Sequence, residues 1–550
     1  MTLLGAYWQN SSRPEGLREF LALGKTRLPG SILVQEKSCA VFTDLSPSHL
    51  SEILSWRADG TAILSAPAFQ DRLFVTDAND AHALTLFSDD LSLLASLPGV
   101  SRRTSPEALA DFLSLGYIPA PRTIYQDIQK IPSGHQFLCG IMRRIPLPGD
   151  LPELPTRFED AVDFFRSRLK DLLGEILERN PQLDVMLSGG IDSGTLLGLL
   201  QEFYPDDSRQ AITAVFREED YNEGTLTALT AQKNHIRLKT CLVTPDSLEL
   251  LDELTRTAGE PFADSSLLAS ATAFRHAPRH ALLTGDGADE AFGGYRRYQA
   301  MLFRHQVPHC LEWLTRPAAG IAHALLPNPR ENRTTLATLT RILNAFAQTP
   351  LEAYASFQQL CSKELRDELL SSPVSHHYLD DWRKKMKTEK WSSLPVPLRY
   401  NLLDLEYYLP DDGCTKQFLA STGTSAAIQA PFLDRRLVAE ALRLPADFRQ
   451  TADETKRILR AIGGKHLPPE VLRQPKRGFG VPLAEWFRGP LVSQLQELAR
   501  SISEWDTHKF LNPETVRLLV DTHIQGKANH ASLLYAILCL KSWETQCFQP

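Results

Sequence analysis

The period of apolar positions changes along this chain, and the changes divide it. Up to residue 145 the apolar residues come in short β-like runs, such as Ser31-Ile32-Leu33-Val34 and Arg72-Leu73-Phe74-Val75. From Phe158 to Leu177 they recur at helical spacing. Strand-like and helical runs then alternate, with strands expected at 184–187, 210–216, 236–243 and 280–284. Short connections between them predict an α/β fold with a parallel sheet covered on both faces, whose ligands bind beyond the carboxyl ends of the strands. From about residue 300 onward the pattern is mainly helical. A proline-rich stretch, Pro146 to Pro155, reads as an extended linker. Internal repeats and low-complexity tracts are absent.

Composition narrows the class. A chain of 550 residues is too long for one core, so two or three domains are expected. The boundaries drawn here are 1–145 for a smaller α+β domain, 146–156 for the linker and 157–550 for the larger domain. With 43% hydrophobic and 23% charged residues, the chain has the balance of an ordinary globular protein. A net charge of −7 supplies no basic footprint for nucleic acid or an anionic membrane. No apolar run reaches the ~18 residues that would span a bilayer, and the start, Met1 to Tyr7, lacks a signal peptide's basic and apolar segments. Eight scattered cysteines without a CxxC pair point to reduced thiols and a cytoplasmic location rather than a disulfide framework or a zinc site. His376-His377 reads as a solvated loop pair.

The first candidate chemistry lies at Leu187-Ser188-Gly189-Gly190-Ile191-Asp192-Ser193, between the strand at 184–187 and a helical apolar run at 194–200. Adjacent glycines let backbone approach a ligand, the two serines add hydroxyls, and helix-start N–H groups favour an anion. The Gly-Lys-Ser/Thr ending of a Walker loop is missing, and Asp192 stands where a carboxylate can hold magnesium on a pyrophosphate. Taken alone, the segment also fits an ordinary glycine turn that caps a core strand. It resembles the PP-loop of the ATP pyrophosphatases, which cut ATP between the α- and β-phosphates.

The strand at 280–284 runs into a second loop, Gly285-Asp286-Gly287-Ala288-Asp289-Glu290-Ala291-Phe292-Gly293-Gly294-Tyr295. Four glycines and three acids in eleven residues suit a loop that presents carboxylates to a metal-bound nucleotide, or an acidic surface loop. Further segments follow: Glu260 to Ser266, Tyr408-Leu409-Pro410-Asp411-Asp412, Ala430 to Asp434, and Arg473 to Leu483 around Lys476. In order and spacing these resemble the synthetase domain of the asparagine synthetase family over roughly 155–490. Phe112 to Pro119 and Ile131 to His135 resemble that family's domain junction.

The resemblance implies a PP-loop synthetase domain behind an Ntn-like, class II glutamine-amidotransferase-like domain, with ATP and Mg2+ as cofactors. It implies carboxylate activation as an acyl-adenylate, then attack by an amine. By position, Asp192 and Asp289 match the magnesium-holding pair. Ser188, Gly189, Gly190 and Ser193 would cradle phosphate, and Leu187, Val215 and Gly285 would flank the nucleoside. Lys476 matches the lysine that stabilises charge on the phosphate and the tetrahedral intermediate. Asp286 would contact pyrophosphate or the incoming amine, and Tyr295 joins it as a catalytic candidate.

Two departures shape the functional expectation. Glutamine-using members begin Met-Cys-Gly, whereas position 2 here is Thr2. A threonine can itself be a nucleophile, but the glutamine-gripping arginine and Asn-Gly-Glu segments are missing and residues 60–66 are largely apolar. The expectation is a degenerate domain without glutaminase activity. Members that make asparagine read Lys-Val-Asp-Arg and then Leu-Glu-Val-Arg before Pro-Phe-Leu-Asp; here Phe418, Leu419, Ala427 and Gln429 replace four charges. Free aspartate needs such charges as partners, so a bulkier or less charged substrate is expected. Lasso-peptide cyclases and β-lactam synthetases share the missing cysteine, and the resemblance is drawn nearest to the former. An Asp or Glu side chain of a precursor peptide would be adenylated and captured by the peptide's N-terminal amine, with a leader peptidase and a leader-binding protein as partners. The other readings are an ammonia-using asparagine-type synthetase, a small-molecule amide ligase and a catalytically dead binding module.

Overall fold

The computed structural model describes residues 3–8, 32–36, 39–43, 50, 53–56, 62–66, 68–77, 84–138, 141–145, 151–277, 281–306, 348–374, 377–424, 426–474 and 480–548. The N-terminal region is built on two antiparallel sheets. One has six strands in the order β2-β3-β1-β7-β6-β8, and the other has four in the order β10-β9-β5-β4. These strands are β1 (Leu3–Trp8), β2 (Ile32–Glu36), β3 (Cys39–Thr43), β4 (Leu54–Trp56), β5 (Ala62–Ala66), β6 (Phe74–Asp77), β7 (Leu84–Ser88), β8 (Gln129–Lys130), β9 (His135–Leu138) and β10 (Ile141–Arg144). Thr2 and Lys476 lie outside the described residues.

The larger region holds a five-stranded parallel sheet in the order β13-β12-β11-β14-β15. Its strands are β11 (Leu183–Met186), β12 (Gln210–Val215), β13 (Arg237–Leu242), β14 (Ala281–Leu283) and β15 (Ala427–Gln429). The four expected strands are all present, β11 shifted by one residue and the others shorter by one residue at one or both ends. The fifth, β15, falls in the segment read from sequence as a substrate-specificity stretch. Its tie to the sheet is long-range: Leu282 is paired with Ile428, and the Thr284 amide donates to the Gln429 carbonyl at 2.9 Å.

Strand order places the candidate chemistry. The chain leaves β11, moves outward through β12 and β13, then returns to the other side of β11 as β14. That reversal opens a crevice beyond the carboxyl ends of β11 and β14, where open α/β sheets bind ligands. The loops at 187–190 and 284–287 both leave the sheet there.

Seven helices matter for the site: α1 (Phe158–Arg179), α2 (Ile191–Phe203), α3 (Gly224–Lys233), α4 (Ser266–Arg275), α5 (Ala288–Phe292), α6 (Thr415–Ser421) and α7 (Arg457–Gly463). Helix α2 is buried at every residue from Ile191 to Leu200, its apolar second half in the core and its polar start, with Asp192 and Ser193, at the crevice. Gly194 and Gly198 lie one turn apart on it and leave room for the Leu467 and His466 side chains of the segment that follows α7. A β-carbon at Gly194 would stand 2.4 Å from Leu467, and one at Gly198 would stand 2.2 Å from His466. This contact brings the start of α7 over the start of α2. The chain beyond residue 347 is mainly helical, as expected, and includes a π-helix at Asp404–Cys414 with Pro410 inside it. Among the described residues no helix is long and apolar enough to cross a membrane, and Cys241, Cys361, Cys414, Cys539 and Cys547 are all free thiols.

Candidate active site

A cavity of about 220 Å³ opens at the crevice. One wall is the turn after β11, with Leu187, Ser188, Asp192 and Ser193; another is the loop after β14, with Gly285, Asp286, Asp289, Glu290 and Tyr295. Tyr408, Leu409 and Gly413 of the π-helix, with Lys416 and Gln417 of α6, close the far side. Eight of the residues expected from sequence therefore share one cavity. Gly189, Gly190 and Val215 do not line it. Successive strand residues face opposite sides, so Ala214 faces the cavity while Val215 Cγ1 lies toward Gly224 on α3.

The turn is organised by its own hydroxyls. The Ser188 amide donates to Ser193 Oγ at 3.1 Å, and the Gly190 amide to Ser188 Oγ at 3.3 Å. The Gly189 amide donates to Glu223 Oε2 at 3.1 Å. Glu223 has no signature in the sequence as a partner of this loop. Asp192 occupies the first turn of α2, where the helix dipole favours a carboxylate.

The centre of the site is an ammonium group that the sequence did not reveal. Lys456 Nζ lies 2.6 and 2.5 Å from the two carboxylate oxygens of Asp192 and 2.6 Å from Asp289 Oδ1. Lys456 is buried and caps α7 in the left-handed conformation, φ 54° and ψ 39°. A non-glycine residue there costs roughly 1–3 kcal/mol, sustained only where its surroundings over-determine it; two carboxylates on one ammonium do so. Nothing in Thr455-Lys456-Arg457 separates this lysine from a solvated one at a helix start.

Asp192 and Asp289 thus converge on one cation position, where the resemblance implied magnesium. The fit to Mg2+ rests on the donors: two carboxylates from separate loops, with Asp286 Oδ2 buried nearby and without a hydrogen-bond partner. These are hard oxygen ligands of the kind Mg2+ uses alongside phosphate oxygens. Among the described residues no group of three His, Cys, Asp or Glu side chains completes a metal site without a ligand.

Two glycines of the second loop are required by close approach. Gly287 has φ +91° and its α-carbon faces the Phe432 carbonyl, where a β-carbon would lie at 2.9 Å. At Gly294 a β-carbon would stand 1.9 Å from Asp289 Oδ1 and 2.1 Å from Lys456 Cε.

Tyr295, expected as catalytic, lines the cavity but is held in place. Its hydroxyl donates to Glu290 Oε1 at 2.9 Å, and the Arg297 guanidinium lies 3.7 Å over its ring. Burial, reinforced by Asp289 and Asp404, raises the Glu290 carboxyl to about 7. Arg297 is fixed in turn by Asp404 at 3.0 and 2.7 Å.

The far wall corrects the reading of the four lost charges. Phe418 and Leu419 turn away from the cavity: Leu419 is buried in the core, and the Phe418 ring carries the Arg72 guanidinium at 4.6 Å. Ala427 is exposed and Gln429 half-buried on β15. This wall remains polar, because Lys416 pairs with Asp264 at 3.0 Å and Asp412 is buried beside them. Burial, then Asp264, raises the Asp412 carboxyl from 3.8 to about 8, against the pull of Lys416. The native state therefore keeps a proton that the unfolded chain releases above pH 3.8, and this contribution to stability is lost as pH rises toward 8. We expect Asp412→Asn to melt progressively higher relative to the parent as pH is raised across that window. A melting-temperature difference that stays constant with pH would contradict the assignment.

Comparison with known proteins identifies the family. A glutamine-hydrolyzing asparagine synthetase of Bacillus subtilis (strain 168) is 23% identical over 450 residues, covering 80% of this chain and 68% of the relative. A Mycobacterium bovis protein, provisionally named asparagine synthetase (glutamine-hydrolyzing), is 25% identical over 489 residues, covering 86% and 72%. A Methanocaldococcus jannaschii protein with a similar provisional name matches 224 residues at 25%, covering 38% of this chain and 42% of the relative. The family model for asparagine synthase matches residues 165–545, and the chain belongs to the asparagine synthase family.

Proposed function

We propose that the protein forms amide bonds at the expense of ATP, releasing AMP and pyrophosphate through an acyl-adenylate, without hydrolysing glutamine. The convergence of Asp192 and Asp289 on one cation position, beside the partnerless Asp286 Oδ2, carries this reading. A substrate carboxylate oxygen attacks the α-phosphorus and the α–β bridging oxygen leaves with pyrophosphate. An amine then attacks the acyl carbon, loses a proton and expels AMP. Asp286, whose Oδ2 has no hydrogen-bond partner and which lines the cavity, could accept that proton. Lys456 is placed to pass from the two aspartates to incoming phosphate, and Lys476, by resemblance, would stabilise charge at the acyl centre. Mg2+ on Asp192 and Asp289 would neutralise the leaving pyrophosphate.

Within that chemistry we propose macrolactam formation in a lasso-peptide precursor, in the cytoplasm, with a leader peptidase and a leader-binding protein as partners. Thr2 in place of the glutaminase cysteine supports it. The charged wall of Lys416, Asp264 and Asp412 supports a second reading, ammonia-dependent amidation of a small amino acid, because a zwitterion needs such partners. Incubating the protein with ATP and either a precursor peptide or aspartate plus ammonium separates the two. The first reading expects the peptide to lose one water, with no glutamate released from glutamine. Loss of water from no peptide, with asparagine formed, would establish the second.

A further inference from the structure

The segment that closes the far side of the cavity has two faces. Tyr408, Leu409, Gly413 and Gln417 look into the cavity, while Asp411 and Phe418 are held from behind by the N-terminal region, which shares Glu406 with Lys385. Lys130, at the end of β8, is buried and places its ammonium 3.1 Å from Asp411 and 3.2 Å from Glu260, donating also to the Ile118 carbonyl at 2.8 Å. The Ala120 amide donates to the other Asp411 oxygen at 2.8 Å. Arg144 of β10 meets Glu406 at 3.2 Å, and Arg72 covers Phe418.

This support matters because of what the segment is. A π-helix is rare and frequently marks a functional site, and Pro410 inside this one lacks an amide donor. Its shape must therefore be fixed by outside contacts: Arg297, Tyr298 and Gln358 hold Asp404 at its start and Lys385 holds Glu406, while the N-terminal region holds Asp411 and shares Glu406. We infer that the N-terminal region, with no glutaminase role, serves as the rear support of the synthetase cavity, and that Lys130 is its positioning residue, acting through Asp411 on the wall at 408–417. The inference also accounts for Phe418, whose ring is a seat for Arg72 rather than part of a substrate pocket. It rests on the reading of this cavity as the amide-forming site.

Lys130→Met in the full-length chain tests it. Removing the ammonium leaves Asp411 and Glu260 buried without their shared cation, so the wall loosens while the ATP-facing turn at 187–193 does not. Amide hydrogen exchange at 405–418 should accelerate about tenfold or more. The specificity constant for the carboxylate substrate should fall about tenfold, with ATP affinity kept within about twofold. Lys130→Arg should restore both, since a guanidinium can pair with two carboxylates. If Lys130→Met does not fold, Arg72→Met, which leaves Lys130 and both carboxylates in place, is measured the same way. Unchanged exchange at 405–418 in a folded variant overturns the inference, as does an equal loss of ATP affinity and turnover. Exchange and ATP binding need no turnover, so they decide this point even if the parent protein proves to form no amide.

Discussion

Asp192→Asn is expected to reduce ATP–pyrophosphate exchange by roughly a hundred- to a thousandfold, the loss typical of removing one preorganised electrostatic partner. Both of its carboxylate oxygens sit on Lys456 Nζ, so the substitution removes half of the cation position and unbalances a buried ion cluster. Breaking a buried pair costs about 3–5 kcal/mol. Asp289 keeps hold of the same ammonium, so the penalty here should lie at the lower end and the variant should still melt cooperatively. Exchange assays on a fraction shown to be folded decide the matter. A variant that retains exchange within about threefold of the parent would remove Asp192 from the phosphate chemistry.

Gly294→Ala is expected to inactivate the protein through a single methyl group. The new β-carbon would overlap Asp289 Oδ1 at 1.9 Å and Lys456 Cε at 2.1 Å, and neither can swing aside without giving up their 2.6 Å contact. Overpacking of this kind costs about 1–3 kcal/mol, too little to unfold a typical protein. A displacement of about 1 Å in a positioned group costs on the order of a hundredfold in rate. The prediction is a modest drop in melting temperature with a hundredfold loss of exchange. Gly464→Ala is the control, because its β-carbon would meet nothing closer than the Arg460 carbonyl at 3.4 Å. Equal activities in the two variants would show that the Asp289–Lys456 geometry does not govern the reaction.

The amino-acid sequence by itself determined the features that depend on near neighbours. Alternating runs specified a parallel sheet, because strand and helix periods are local properties. A glycine turn at 187–190 and an acid-rich turn at 285–290, each behind an apolar strand, could only lie at the carboxyl edge of that sheet. Asp192, Asp286 and Asp289 were therefore legible before any coordinates. Other features were decided by tertiary structure alone. Lys456 and Asp192 are 264 residues apart, and no spacing rule links them; they meet where Gly194 and Gly198 leave room on α2 for the Leu467 and His466 side chains of the segment behind α7. The short strand β15 exists only because β14 offers it an edge. Phe418 looked like a lost charge in a substrate pocket, yet the step of about 100° between adjacent positions of α6 places Gln417 in the cavity and the aromatic ring under Arg72. Composition and periodicity tell which residues can be buried or charged; which of them touch is set by packing between distant segments, and that packing put the ammonium between the aspartates.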